Sequence, residues 1–372
     1  MQEKRPKIGI DGRLLAYPLT GIGRYTHEMT QALLRAGAHV TLYMPAAPVH
    51  PLDQDKGYLQ IQASRLFGRA GRFIWGQAFL PIIARHNAPD IYWGPTHRIP
   101  PFLPARTRAF VTIHDLVWKF AGETMRPTSR LLEQVLMPKA IRRADGVIAV
   151  SEHTRQDILH SFPKIDCPVK TIYPGISERP PAHDRSYLEK WGINQPYILF
   201  VGTLEPRKNL VRLLKAYAKL DEQDHRRACL VITGGAGWGD LDLVQIIKTH
   251  GLDKLVHLTG YVDEPELSTL YKNALFLAMP SLYEGFGLPL IEAMSYGVPS
   301  LTSNLSSMPE VAADTAVLVD PLDIDAIASG LRVLLTKCDH RETLARRAQE
   351  RATFFQWDLA ARELLDFFDK RL

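Results

Sequence analysis

Residues 274–294, ALFLAMPSLYEGFGLPLIEAM, pass from an apolar run through a glycine-bearing loop into a helix-forming segment. The run 274–278 reads as a buried strand, and Pro289 suits the first position of a helix, where its missing N–H costs nothing. A strand, loop and helix in that order form the unit from which parallel sheets are built. Outward from this stretch the alternation continues. The second half of the chain offers strands at 197–201, 228–233 and 256–259 and helices at 209–220, 265–272, 289–296 and 325–335. The first half offers strands at 6–10, 39–44, 91–93, 109–113, 146–150 and 170–173, with helices at 24–36 and 129–143. Between the two series, Pro174-Gly175 and the pair Pro180-Pro181 stop any helix or ladder. The expected fold class is therefore α/β, with two Rossmann-like parallel-sheet domains at 1–178 and 179–354. Residues 354–372 place Phe355, Leu359, Leu364, Leu365 and Phe368 near helical spacing, an amphipathic helix with a docking face. Open sheets of this kind bind ligands at the carboxyl ends of their strands, here expected in a cleft between the domains.

Composition narrows the function. At 372 residues the chain can bury two cores, and 46% hydrophobic with 23% charged residues excludes a disordered tail or a fibre. Cys167, Cys229 and Cys338 lie far apart without a C-x-x-C pair, which argues for free thiols rather than disulfides or structural zinc. Apolar runs such as 197–202 are too short to span a bilayer, and the opening MQEKRPKIGIDGR lacks the apolar stretch of a signal peptide. The expected location is the cytoplasm. A net charge of +5 suits an anionic partner without choosing which one.

The chemistry gathers at strand ends. Glu284 falls on the strand-to-helix loop and Glu292 on the first turns of the helix, while Gly285 and Gly287 leave the loop backbone open. The N–H groups of Phe286, Gly287 and Leu288 can then point at an anion with the helix N-terminus behind them. A second segment, 200–210, has Gly202 and Thr203 after a strand, then Arg207 and Lys208 before a helix. Two cations so placed repel each other unless a phosphate arrives; the alternative is a solvated basic turn capped by Asn209. Near the N-terminus, Thr20-Gly21-Ile22-Gly23-Arg24 could be mistaken for a dinucleotide fingerprint. It fails because Thr26 occupies the third glycine position, the glycines follow the strand by about ten residues, and no acidic residue closes the next strand. The loop remains suited to a diphosphate. His114 and Asp115 end a strand, where the histidine can hydrogen-bond a substrate. Asp323 and Asp325 read as helix caps rather than a metal-binding pair, and Ser151 likewise as a cap. No H-E-x-x-H, G-x-S-x-G or Walker sequence is present.

Together, 284–292 and 202–210 resemble the retaining GT-B glycosyltransferases of family 4, and the likeness runs over nearly the whole chain. Thr112-Ile113-His114-Asp115, Ser151-Glu152-His153-Thr154 and residues 302–310 are similar to bacterial mannosyltransferases of lipopolysaccharide O-antigen and other surface polysaccharides. The resemblance implies transfer of a hexose, mannose or a deoxy relative such as D-rhamnose, from a nucleoside diphosphate, GDP by preference, to a hydroxyl of a glycan or lipid-linked acceptor. It assigns Glu284 to hydroxyls of the donor sugar and Glu292 to the ribose. Arg207 and Lys208 neutralise the diphosphate, helped by N–H groups of Gly287, Leu288 and Gly23. His114 lies near the sugar's C6 hydroxyl or steadies positive charge at the anomeric carbon. Gly234 and Val262, with their neighbours Gly235 and Tyr261, shape the base pocket. The terminal helix resembles one that crosses back to the first domain. No cofactor and no metal are expected, since cations and helix N-termini carry the leaving-group charge. Configuration is expected to be retained by same-face attack, a diphosphate oxygen taking the acceptor proton.

Other readings make different demands. An epimerase or phosphorylase lacks the pairing of Glu284 with Glu292. A nucleotide-sugar-binding scaffold would carry a broken motif, and a transferase using a UDP-sugar would differ only in its donor. Nucleic acid is excluded as a partner, because no helix-turn-helix, zinc or aromatic and basic platform is present. Residues 65–75, RLFGRAGRFIW, interleave arginines with apolar side chains, which suits a segment lying on an anionic membrane and equally an ordinary basic surface with an apolar core face.

Overall fold

The computed structural model describes residues 6–54, 57–63, 75–239 and 242–371. The chain divides into two compact units, Met1–Leu116 with Leu131–Gly175 and Gln356–Leu372, and Val117–Arg130 with Ile176–Phe355. In the first, β1 (Lys7–Asp11), β2 (His39–Met44), β3 (Tyr58–Ala63), β4 (Ile91–Gly94), β5 (Arg108–Ile113), β6 (Gly146–Ala149) and β7 (Val169–Thr171) form one sheet. Their order is β3-β2-β1-β4-β5-β6-β7, and every pairing is parallel. The second unit holds β8 (Tyr197–Val201), β9 (Cys229–Thr233), β10 (Val256–Gly260), β11 (Phe276–Met279), β12 (Ser300–Ser303) and β13 (Ala316–Val319). These run in the order β10-β9-β8-β11-β12-β13, again all parallel.

Central strands such as β4, β8, β9 and β11 are buried at every residue, as a parallel sheet covered by helices on both faces requires. That continuous apolar character made them legible. The sequence reading missed β3, β12 and β13 and the helix Cys338–Ala352. Strand β3 is an edge with Gln60 and Gln62 on one face. Strand β12, Ser-Leu-Thr-Ser, is polar in composition yet wholly buried, and the Thr302 hydroxyl donates to Met279 O at 2.9 Å. The connections place the site. In the second sheet the chain runs one way from β8 to β9 and β10, and the other way from β11 to β12 and β13. Adjacent strands β8 and β11, paired at Ile198 and Phe276, are therefore a topological switch point, and their carboxyl ends carry 202–209 and 280–287.

Three expectations need correction. Residues 117–130, expected in the first domain, belong to the second unit, because Val117, Ala121 and Met125 pack around Tyr283 and the Phe120 ring stacks on Tyr283 at 6.1 Å. Ile176 likewise joins the second unit, its N–H donating to Phe355 O, and Phe355 stays there edge-on to Phe286 rather than starting the returning helix. The helix itself, Trp357–Asp369, buries Trp357, Ala360, Ala361, Leu364, Phe367 and Phe368 within the first unit. Phe367 and Phe368 lie against Phe110 at 5.5 and 4.6 Å, while Leu359, expected on that face, is 41% exposed. The burial phase follows Trp357, from which Leu359 is two residues and more than half a turn removed. Finally, residues 65–74 of the basic, apolar segment lie outside the described residues, and its last member Trp75 is fully buried in a cluster with Tyr43 and Tyr92 instead of facing a surface. Among the described residues no helix is long and apolar enough to cross a membrane.

Replacing Phe368 with Ala should lower the stability of the first unit by about 3 kcal/mol or more in urea unfolding, whereas Leu359→Ser should change it by less than about 0.5 kcal/mol. Equal effects would place the docking face wrongly.

Candidate active site

Glu284 sits at the centre of the second unit's site. Its Oε2 accepts from Arg207 Nη1 at 2.5 Å and its Oε1 from Lys208 Nζ at 2.6 Å. All three side chains are largely buried. Burial alone would raise the carboxyl's pKa, but attraction to Arg207 and Lys208 wins and holds it at about 2. The expected mutual repulsion of the two cations is thus relieved by the protein's own carboxylate, without a phosphate. Glu205 adds a second, longer contact to Arg207 at 3.4 Å.

The same contacts fasten two loops. Leu282 N–H donates to Arg207 O at 2.9 Å, and Arg207 Nη1 donates to Tyr283 O at 3.0 Å. Asn209, the cap of the alternative solvated-turn reading, makes no side-chain cap; it adopts φ 63°, and its amide donates to Pro280 O and Pro321 O at 2.9 and 2.7 Å. Asparagine tolerates that left-handed backbone. From the next strand end, Ser306 Oγ accepts from Glu284 N–H at 3.1 Å and Ser307 Oγ donates to Glu284 O at 2.9 Å. Sequence reading quoted these serines without seeing that they hold the glutamate's backbone.

Gly287 has φ 96° and opens the helix Leu288–Ser295, which no side chain caps. The left-handed backbone is what calls for glycine here; a Cβ would also press on the flexible end of the Met308 side chain, 2.5 Å away. The helix therefore begins beside Phe286, Gly287 and Leu288 with the positive end of its dipole there. Along the sheet, Gly202 follows β8 and Gly234 follows β9, with Gly234 N–H donating to Gly260 O at the end of β10. A Cβ on Gly234 would lie 2.0 Å from Gly202 O, so the two strand ends approach as closely as backbone allows. Val262 is buried just beyond β10, and Thr203 is exposed beside Gly202. Thus Val262, Gly234, Gly202, Thr203, Arg207, Lys208, Glu284, Phe286, Gly287 and Leu288 all fall at carboxyl ends of consecutive strands of one sheet.

Glu292, on the helix Leu288–Ser295, is held apart from the cations. Arg179 Nη2 donates to its Oε1 at 2.5 Å and the Tyr271 hydroxyl to its Oε2 at 2.7 Å. Neither partner was anticipated; Arg179 comes from the proline-flanked segment that reads as a linker and gives no local signal.

His114, Gly21 and Gly23 belong to the first unit. The His114 Nε2 lies 2.8 Å from Pro95 O, and since a carbonyl only accepts, Nε2 carries the hydrogen and Nδ1 the lone pair. Burial and the neighbouring His97 push its pKa down to about 3, so the ring is neutral. His97, missed by sequence reading, accepts the His114 backbone N–H at 3.0 Å and is in turn held by Glu133, which Arg98 also binds through both guanidinium arms. Gly21 and Gly23 are not in a loop before a helix; they are inside the first turn of the helix Gly21–Arg35, whose residue Thr20 offers no side-chain cap. Asp323 does cap its helix, accepting from Asp325 and Ala326 N–H, and Ser151 accepts from Thr154 N–H.

Glu284→Gln should cost about 3 kcal/mol at pH 7, because two buried cations lose their counter-charge. The folded carboxyl's pKa lies below its ordinary 4.5, so this contribution is complete above about pH 4.5 and fades as the pH falls toward 2. Thermal unfolding should show the gap between wild type and variant narrowing from pH 6 to pH 2.5; a constant gap would refute the pairing. For His114, nitrogen NMR should still show a neutral ring with Nε2–H at pH 5, and titration near pH 6.5 would contradict the geometry.

Known proteins resemble the chain over nearly its whole length. Residues 19–179 match Glycosyltransferase Family 4, and residues 185–351 match Glycosyl transferases group 1. O-antigen chain mannosyltransferase B from Escherichia coli is 33% identical over 92% of this chain and 94% of its own length. Serotype-specific mannosyltransferase WbdA from Escherichia coli is 24% identical over 98% of this chain, which spans about half (48%) of that longer protein. Among solved structures, sucrose-phosphate synthase from Thermosynechococcus elongatus shares the fold, with a TM-score of 0.77 at 21% identity over 98% of this chain and 99% of its own. The chain belongs to the family 4 glycosyltransferases and is an enzyme of the GT-B fold.

Proposed function

We propose that this glycosyltransferase moves a mannosyl group, or a deoxy relative such as D-rhamnose, from a GDP-linked donor to a hydroxyl of a growing O-antigen glycan or its lipid-linked precursor. The observation that carries the reading is the Glu284, Arg207 and Lys208 cluster at the switch point, beside the uncapped helix at Gly287. The mannosyl assignment draws support from the Escherichia coli O-antigen chain mannosyltransferase B, which matches over most of both chains. In this reading Arg207 and Lys208 meet the donor's diphosphate and stabilise the charge that gathers there as the sugar leaves. Glu284, released from part of its cation contact, accepts hydroxyls of the sugar, and Glu292 those of the ribose. Gly234 and Val262 border the base, and the N–H groups at Gly287, Leu288, Gly21 and Gly23 add positive ends of helices.

The neutral His114 contributes the lone pair of Nδ1 to a sugar hydroxyl; being uncharged, it does not oppose positive charge at the anomeric carbon. The two cations and the helix ends make a metal ion unnecessary for the leaving group, and transfer proceeds with retained configuration, a diphosphate oxygen accepting the acceptor's proton. The protein works in the cytoplasm, with peripheral attachment at the inner face of the membrane.

Purified protein with GDP-mannose, an O-antigen acceptor and EDTA should yield product whose new bond keeps the donor's anomeric configuration by proton NMR. Glu284→Ala and Lys208→Ala should each lower kcat/KM by about 100-fold or more. Thermal stabilisation by GDP above UDP, ADP and dTDP should accompany it, about 2.7 kcal/mol at one hundred times Kd. Stabilisation by UDP alone would replace the donor, and binding without transfer would make the protein a nucleotide-sugar-binding scaffold.

A further inference from the structure

Arg179 leaves the segment between the two series of elements and ends with its guanidinium 5% exposed. Its Nη1 donates to Glu264 Oε2 and its Nη2 to Glu292 Oε1, both at 2.5 Å. The guanidinium carbon lies 5.6 Å from the Tyr271 ring centroid, and that ring stacks on Tyr296 at 5.7 Å with an interplanar angle of 11°. Tyr271 and Glu264 both come from the helix Glu264–Asn273, so this one helix supplies two of the contacts that hold Arg179 and one that holds Glu292.

The consequence falls on Glu292. An ionised carboxylate has two lone-pair sites on each oxygen. Arg179 takes one on Oε1 and Tyr271 one on Oε2. One site remains on each oxygen, so the carboxylate offers a pair of adjacent acceptors with its rotation fixed from both sides. Such a pair matches two neighbouring hydroxyls on the same face of a five-membered ring. The guanidinium keeps its proton at every physiological pH, so Arg179 remains a donor to Glu292. Stability alone gives little reason for this arrangement, since a buried ion pair is often no better than apolar packing.

We propose that Arg179 and Tyr271 are positioning residues that set Glu292 to read the vicinal 2′ and 3′ hydroxyls of the donor, which makes the enzyme selective for ribonucleoside over deoxyribonucleoside diphosphates. This rests on the reading of Glu292 as the ribose ligand. It disfavours thymidine-linked sugars, which lack the 2′ hydroxyl, on the ground of their sugar rather than their base.

Calorimetric titration in EDTA would compare each nucleoside diphosphate with its 2′,3′-dideoxy counterpart, for guanine and for uracil. Wild type should prefer the ribonucleotide about tenfold or more, as charge-assisted hydrogen bonds require. Tyr271→Phe and Arg179→Lys, which keep the fold's volume and charge, should reduce that preference to about threefold or less and raise donor KM with kcat nearly unchanged, while the affinity for inorganic pyrophosphate stays as in wild type. Variants that keep the wild-type preference overturn the proposal, as does a uniform loss of affinity that includes pyrophosphate. If wild type binds both nucleotides equally, the ribose role of Glu292 falls and this inference with it, leaving the donor reading intact. If wild type binds no nucleoside diphosphate, the proposed function falls too.

Discussion

A carboxylate buried as deeply as that of Glu284 is sustained only by compensating charge, and here the compensation comes from two adjacent residues of a different loop. Because Arg207 and Lys208 are consecutive, one short turn delivers both cations, and that turn must stand beside the glutamate's loop. Pairing of β8 with β11 puts it there. The backbone bond from Leu282 to Arg207, the Asn209 amide on Pro280 and the serine hydroxyls on Glu284 then hold the distance. The acid and its two bases act as a clasp between neighbouring loops as well as a place for a ligand.

The clasp also organises its surroundings. Gly287 must be left-handed for the helix Leu288–Ser295 to begin where it does, and that helix carries Glu292 one turn further on. Gly234 must lack a side chain for the ends of β9 and β8 to meet, since a Cβ there would lie 2.0 Å from Gly202 O. Charge, backbone angle and close approach are therefore satisfied at one edge of one sheet, and each demand restricts which residues can stand there.

Much of this was legible in the sequence, for identifiable reasons. The central strands announce themselves because a parallel sheet buried on both faces needs continuous apolar residues, and Glu284, Arg207 and Lys208 stand out because charges flank glycine and proline at strand ends. What stayed hidden depends on partners distant in the chain. Arg179 looks like any linker arginine until Glu292, more than one hundred residues later, is folded against it. His97 and Glu133 matter through the backbone of His114, and residues 117–130 join the second unit only because Tyr283 covers them. The polar strand Ser300–Ser303 hides because burial, not composition, makes it a strand. Asn209 entered only as the cap of the alternative reading, since a left-handed asparagine and a capping asparagine read alike.

The returning helix Trp357–Asp369 bears on how the protein is made. Phe367 and Phe368 complete a core around Phe110, so the first unit lacks part of its interior until the helix Trp357–Asp369 has been translated. The second unit, by contrast, has all its strands once residue 319 has been made. Domains usually fold on the ribosome in the order in which they are synthesised. Here the half that is begun first is finished last, and its nascent sheet must wait, with Phe110 uncovered, through the synthesis of the whole intervening unit. A release of unfinished chains would therefore leave a folded second unit attached to an incomplete first one, a form exposed to proteases and chaperones on one side only.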